Sequence, residues 1–242
     1  MSNLRYYILL LIASVVVPAN AYELGTHGRL TFEAYNRSVV KADSSLLGEL
    51  GVQGISNPFG TTYYDMAGDE VRSRAKHDFE QSAGRMPEEV DPLSIVGWLL
   101  RGAIREDDLG FLFSVFRFQY GDDPHDDPYG SFWRVTQHFY DPVNDRPLTL
   151  SLPCLKAFVD ATQDDGNFKA APSWGLGVQD AFSEPNTPDV RRRNHFSVLD
   201  AREAMYRALT GRNNQNEVKA STAGERDKYW ATTFRALGDV VH

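Results

Sequence analysis

Residues Thr222 to His242, TAGERDKYWATTFRALGDVVH, fit one secondary structure only. Thr222 and Glu225 stand in the spacing of a capping box, in which each side chain closes the other's orphan backbone N–H at a helix start. Trp230, Phe234, Leu237 and Val241 then recur at i, i+4, i+7 and i+11, which places them along one helix face. A helix with such a stripe must bury it against a neighbour, and the chain offers candidates. In DPLSIVGWLLRGAIREDD, Asp91 reads as the N-cap and Pro92 as the first helical residue, followed by a stripe of Ile95, Trp98, Leu99, Gly102 and Ala103. In SVLDAREAMYRALTG, Ser197 and Asp200 form a weaker capping box. Phe196, Leu199, Tyr206 and Leu209 follow helical spacing there, and Gly211 is a stop signal.

THGRLTFEAYNRSVV is helical with a less regular stripe, and DEVRSRAKHDFEQSA reads as a charged surface helix or a loop. Between these segments lie Pro-, Gly- and Asp-rich stretches: GVQGISNPFGTTYYD, YGDDPHDDPYG (within the Asp-rich stretch 121–130), DPVNDRPLTLSLP and SEPNTPDV. Strand-like alternation is scarce, and PLTLSLP is its best and shortest case. No internal repeat is present. The expectation is an all-α domain with long connecting loops, and loops of that length usually carry function or an insertion.

The first 21 residues are a separate matter. One Arg, the ten-residue apolar run Ile8 to Val17 and the small-x-small pair Ala19 and Ala21 make a secretory signal peptide, with cleavage after Ala21 leaving Tyr22 first. The run is too short to span a bilayer. The remaining residues 22–242 suit one domain, secreted or periplasmic, with no integral membrane segment. Cys154, the single cysteine, excludes an internal disulfide, and its apolar neighbours make it a core residue rather than a nucleophile. A net charge of -8 disfavours a broad nucleic-acid-binding face, although a bound cation reverses that logic locally.

No nucleophile elbow, H-E-x-x-H, P-loop or dinucleotide fingerprint occurs. Six histidines remain: His27, His77, His125, His138, His195 and His242. His77 reads as a surface residue, His125 as part of a solvated Asp-rich loop without EF-hand spacing, and His195 as structural before a helix start. His27 lies five residues past Tyr22. His138 lies among aromatic residues in QHFYDP. His242 follows Gly238, whose missing side chain leaves room beside it. Glu106, Asp107 and Asp108 close an apolar helix. Imidazole and carboxylate together make a zinc donor set. Taken singly, such a histidine is more often a packed or hydrogen-bonded residue than a ligand, and such an acid more often a solvated helix end.

In their order along the chain these residues resemble the zinc-dependent phospholipase C / S1-P1 nuclease superfamily. YELGTH has the layout of that superfamily's mature start, in which the first residue binds zinc through its amine and carbonyl oxygen and a nearby His joins it. Tyr22 here stands in place of the usual Trp. Asp107 resembles the superfamily's Asp at a helix end, with Glu106 the competing choice. His138 in HFYDP resembles its next His, and ALGDVVH resembles the lead-in to its H-x-x-x-D helix, with His242 as the His.

The resemblance implies a multi-helical phospholipase C/P1 nuclease-like domain holding up to three zinc ions in a full-length form. Asp107, His138 and His242 would serve one zinc and Tyr22 and His27 a second, the two zincs sharing a further Asp, the one four residues beyond His242 in the superfamily. The acid four residues beyond His242 and the later ligands have no counterpart, so the chain is expected to be an N-terminal fragment, incomplete at its C-terminus. The implied activity is a phosphoric diester hydrolase with Asp107 as catalytic residue, weakly active or inactive as given. Its substrate would be a phospholipid headgroup ester or a nucleic acid. The rival expectation is a secreted helical binding domain without catalysis.

Overall fold

The computed structural model describes residues 24–52, 59–60, 62–64, 70–72, 86–106, 140–143, 146–147, 171–177, 194 and 196–242. The signal segment lies outside them. The described part is dominated by helix: α1 (Leu24–Asn36), α2 (Val39–Ala42), α3 (Ser44–Glu49), α4 (Ile95–Glu106), α5 (Ala171–Leu176), α6 (Val198–Thr210) and α7 (Ala223–Val241). Two short antiparallel ladders accompany the helices. Strand β1 (Thr62–Tyr64) pairs β2 (Glu70–Arg72) with Tyr63 opposite Val71, and β3 (Tyr140–Asp141) pairs β4 (Arg146–Pro147). The helical expectation therefore holds for this part. GTTYYD contributes a strand where a loop was expected, and residues 70–72 of the charged segment are a strand as well. Of the expected strand PLTLSLP, Pro147 is paired and the rest lies outside the described residues.

The centre is the pair α4 and α7, with α6 packed on α7 and α1 packed on α4. Both central helices are buried over most of their circumference, wider than a single stripe. On α4, Ile95 and Trp98 join the main core with Phe196, Trp230 and Phe234, while Leu100 and Ile104 face a second cluster completed by Val90 and Phe32 of α1. On α7, every residue from Tyr229 to Ala236 is buried, yet Leu237 and Val241 are exposed, so the expected stripe holds for its first half only. The two helices meet at glycines. A Cβ on Gly102 would lie 2.6 Å from Asp239 N and overlap the Arg235 carbonyl oxygen, and one on Gly238 would overlap the Leu99 carbonyl oxygen. The space at Gly238 is thus filled by the α4 backbone rather than left open beside His242.

Ser197 and Thr222 form their capping boxes with Asp200 and Glu225, and Gly211 ends α6 at φ 71, the left-handed cap. The start of α4 differs from expectation. Ser94, not Asp91, is the N-cap: its hydroxyl accepts from Gly97 N at 3.1 Å, and its carbonyl oxygen accepts from Trp98 N. Asp91 instead closes the preceding turn, its carboxylate accepting from Leu93 N and its carbonyl oxygen from Ser94 N.

On α6 the buried face is Ala201, Ala204 and Ala208 with Asp200 and Arg207, whereas Leu199, Tyr206 and Leu209 are 51, 44 and 39% exposed. Alanines let the α6 backbone approach α7 closely, where larger side chains would not fit. Three charged side chains are buried at the centre. Arg101 has its guanidinium 5.1 Å from the Trp98 ring centroid, and Arg235 lies 3.7 Å from that of Phe196. Arg235 Nε also stands 3.9 Å from the Asp239 carboxylate one turn on. These ring contacts add cation–π attraction to whatever offsets the cost of burying each guanidinium.

Candidate metal centre

His27 stands in the first turn of α1. The helix seats itself through Thr31, Phe32 and Tyr35, which pack inward at helical spacing, with Phe32 against Leu100 and Ile104 of α4. His27 is one turn before Thr31 on that same face, so it is aimed at the end of α4 rather than at solvent. His242 follows directly on α7 and is carried to the same place by the Gly102–Gly238 contact. The two imidazole rings lie with centroids 4.1 Å apart and planes tilted by 34°, each ring half-buried.

His242 Nδ1 is 2.9 Å from the carbonyl oxygen of Ala103 in the last turn of α4. A carbonyl only accepts, so Nδ1 carries the proton and donates it. In the neutral ring Nε2 then keeps its lone pair. Ala103 lies in the last described turn of α4, and its carbonyl oxygen, with two lone pairs, can accept from the imidazole beside any bond within the helix. A metal-binding imidazole is usually held in this way, with its other nitrogen donating to a backbone carbonyl or a carboxylate.

Two protonated rings would repel: unit charges about 4 Å apart cost about 4 kcal/mol at an effective dielectric of 20. The pair is thus better suited to share its lone pairs with a cation than to carry two protons.

Of the five expected ligands, the structure brings together His27 and His242. Tyr22, Asp107 and His138 lie outside the described residues. Glu106 is the last residue of α4 and Asp107 the next in sequence, so the helix that holds His242 by Ala103 also leads into the expected acid. Among the described residues no three His, Cys, Asp or Glu side chains stand together. Cys154, His77, His125 and His195 also lie outside. Two participants carried no sequence signal of their own: the Ala103 carbonyl, which any residue would supply, and the glycine contact, which reads as one more member of an apolar stripe. Set against known protein families, characterised proteins and solved structures, the chain matches none of them.

Proposed function

We propose that this chain carries metal-binding residues of an exported zinc-dependent phosphoric diester hydrolase, phospholipase C-like, on a multi-helical phospholipase C/P1 nuclease-like fold. The observation that supports it is the His27–His242 pair: two residues from the opposite ends of residues 22–242, singled out as ligands by sequence, whose rings stand 4.1 Å apart. The donor set fits zinc, which takes imidazole nitrogen and carboxylate oxygen. The separation fits two neighbouring ions better than one. Two imidazoles on a single tetrahedral zinc, at about 2.0 Å to each nitrogen, place their ring centres about 5 Å apart. Rings at 4.1 Å are closer than that, so the pair would suit ligands to separate ions.

In this reading His242, Asp107 and His138 hold one zinc, and His27 with the amine and carbonyl oxygen of Tyr22 holds a second. Bound zinc supplies Lewis acidity and a water acidic enough to attack at neutral pH. Ala103 holds the His242 ring in its tautomer. Asp107 orients the attacking water or takes its proton. The acidic balance of -8 favours a phospholipid headgroup ester over the polyanionic backbone of a nucleic acid, which leaves an S1/P1-type nuclease as the alternative. Among the described residues no helix is long and apolar enough to cross a membrane. The signal segment makes the site of action extracellular or periplasmic.

Cleavage of a chromogenic phosphocholine ester and of single-stranded DNA, each with and without zinc, tests the reading on residues 22–242. Weak zinc-dependent release of the phosphocholine ester is expected, with bound zinc reduced by His138→Ala. Zinc content unchanged by that substitution, or hydrolysis indifferent to zinc, contradicts it. One observation favours a second reading: the His242–Ala103 bond would also tie α7 to α4 in a non-catalytic helical binding domain. That reading expects no zinc on the purified protein.

A further inference from the structure

The two rings sit on different helices, α1 and α7, and neither helix alone fixes their distance. Both are referred to α4. Phe32 seats α1 against Leu100 and Ile104, while Gly102 and Gly238 set how closely α7 approaches. We infer that Gly102 and Gly238 are positioning residues: their backbone contact sets the depth at which the His242 ring meets the last turn of α4 and thereby aligns it with His27. The inference rests on the metal-binding reading of that pair.

The geometry is specific. A Cβ on Gly102 would stand 2.6 Å from Asp239 N and 2.8 Å from Gly238 Cα, and would overlap the Arg235 carbonyl oxygen. All three are backbone atoms, so no side chain can swing aside. Restoring an ordinary contact of 3.4 Å from 2.6 Å at Asp239 N parts the helices by at least about 0.8 Å, and clearing the overlapped Arg235 carbonyl oxygen takes more. Carried along α7, that opens the 2.9 Å His242–Ala103 bond to at least about 3.7 Å, past hydrogen-bonding range. The ring then loses the contact that fixes its tautomer, and Nε2 is no longer presented in one direction.

A matched control is built into the same helix. A Cβ on Gly97 would also overlap backbone, the carbonyl oxygens of Asp91 and Pro92, but Gly97 lies six residues before Ala103, about 9 Å along the axis. A purely structural role for Gly102 predicts that both substitutions behave alike.

The test titrates zinc into the purified wild type, Gly102→Ala and Gly97→Ala against a competing chromophoric chelator. Gly102→Ala is expected to weaken zinc binding by at least about tenfold, the usual penalty for losing a partner that orients a metal ligand. Gly97→Ala is expected to keep wild-type affinity whatever its stability. Equal losses in both, or none in Gly102→Ala, overturn the inference. Where Gly102→Ala does not fold, the histidine nitrogen spectrum of the zinc-loaded wild type decides. The inference requires Nδ1 of His242 protonated and Nε2 bound to metal, and metal on Nδ1 overturns it. A wild type that binds no zinc removes the functional reading instead. The Nδ1–H signal, kept in metal-free wild type and Gly97→Ala but lost in Gly102→Ala, then still reports whether the helix contact sets the ring.

Discussion

Replacing Phe196 perturbs two supports of the central helices at once, and the two can be separated. The ring is fully buried, precedes the Ser197 cap of α6, and packs in one cluster with Ala201, Trp98 and Trp230. Its face carries the Arg235 guanidinium at 3.7 Å, and Arg235 is itself fully buried. Phe196→Ala forfeits the whole side chain and leaves a cavity, which costs about 3–5 kcal/mol. Phe196→Leu keeps most of the apolar burial and removes only the aromatic face. With the guanidinium fully buried, that face is worth about 2 kcal/mol. Urea unfolding of Phe196→Leu, Arg235→Met and the double variant closes a double-mutant cycle. The coupling energy is expected at about 1–2 kcal/mol, a difference in urea midpoint near 0.5 M for a slope of about 2–3 kcal/mol/M. If Phe196→Leu costs the same with Met at 235 as with Arg, the ring does not hold the buried cation and the reasoning fails.

Other substitutions probe the caps and the helix faces. Glu225 accepts from the backbone N–H groups of Thr222 and Ser221, and from the Ser221 hydroxyl, and these bonds hold its carboxyl below the ordinary 4.5. With the folded value depressed, its contribution is complete above pH 4.5 and is lost as pH falls through the folded value. The stability gap between wild type and Glu225→Gln should therefore be constant at neutral pH and close in acid, and a gap that widens in acid would contradict the cap. Gly211→Ala places a Cβ at φ 71 against the Ala220 carbonyl oxygen and should cost well over about 1 kcal/mol in the same unfolding assay; a neutral result would refute the left-handed cap. Leu199→Ser, on the exposed side of α6, should stay within about 0.5 kcal/mol of wild type, while Ala204→Leu should cost about 1–3 kcal/mol by prising α6 from α7. The reverse order would restore the face expected from the sequence.

The capping boxes and the Gly211 stop were legible in the sequence because their chemistry is confined to four or five neighbouring residues. Helix faces were less so. Leu199, Tyr206 and Leu209 weigh more in any apolar pattern than Ala201, Ala204 and Ala208, but it is the alanines that permit the close approach to α7. At the start of α4 two oxygen-bearing residues stand three apart, and only tertiary placement gives the cap to Ser94 and the turn to Asp91. Phe59 reaches the core from a Gly-, Asn- and Pro-rich stretch that reads as loop, and α5 gave no periodic signal. No period links His27 to His242; their meeting depends on two helix packings against α4. What the residues themselves offered was three imidazoles in unusual settings, His27, His138 and His242, and only a family's ligand order joined them.

Zinc content is the most direct measure of the central claim. Residues 22–242 are to be purified, stripped with chelator, reloaded with zinc and dialysed, and bound zinc measured per chain for wild type, His27→Ala and His242→Ala. Bound zinc is expected in the wild type, a reduced amount with either substitution, and zinc absorption spectra with imidazole scattering that weakens in both variants. A wild type without zinc, or zinc and imidazole scattering unchanged in His27→Ala and His242→Ala, would contradict that claim.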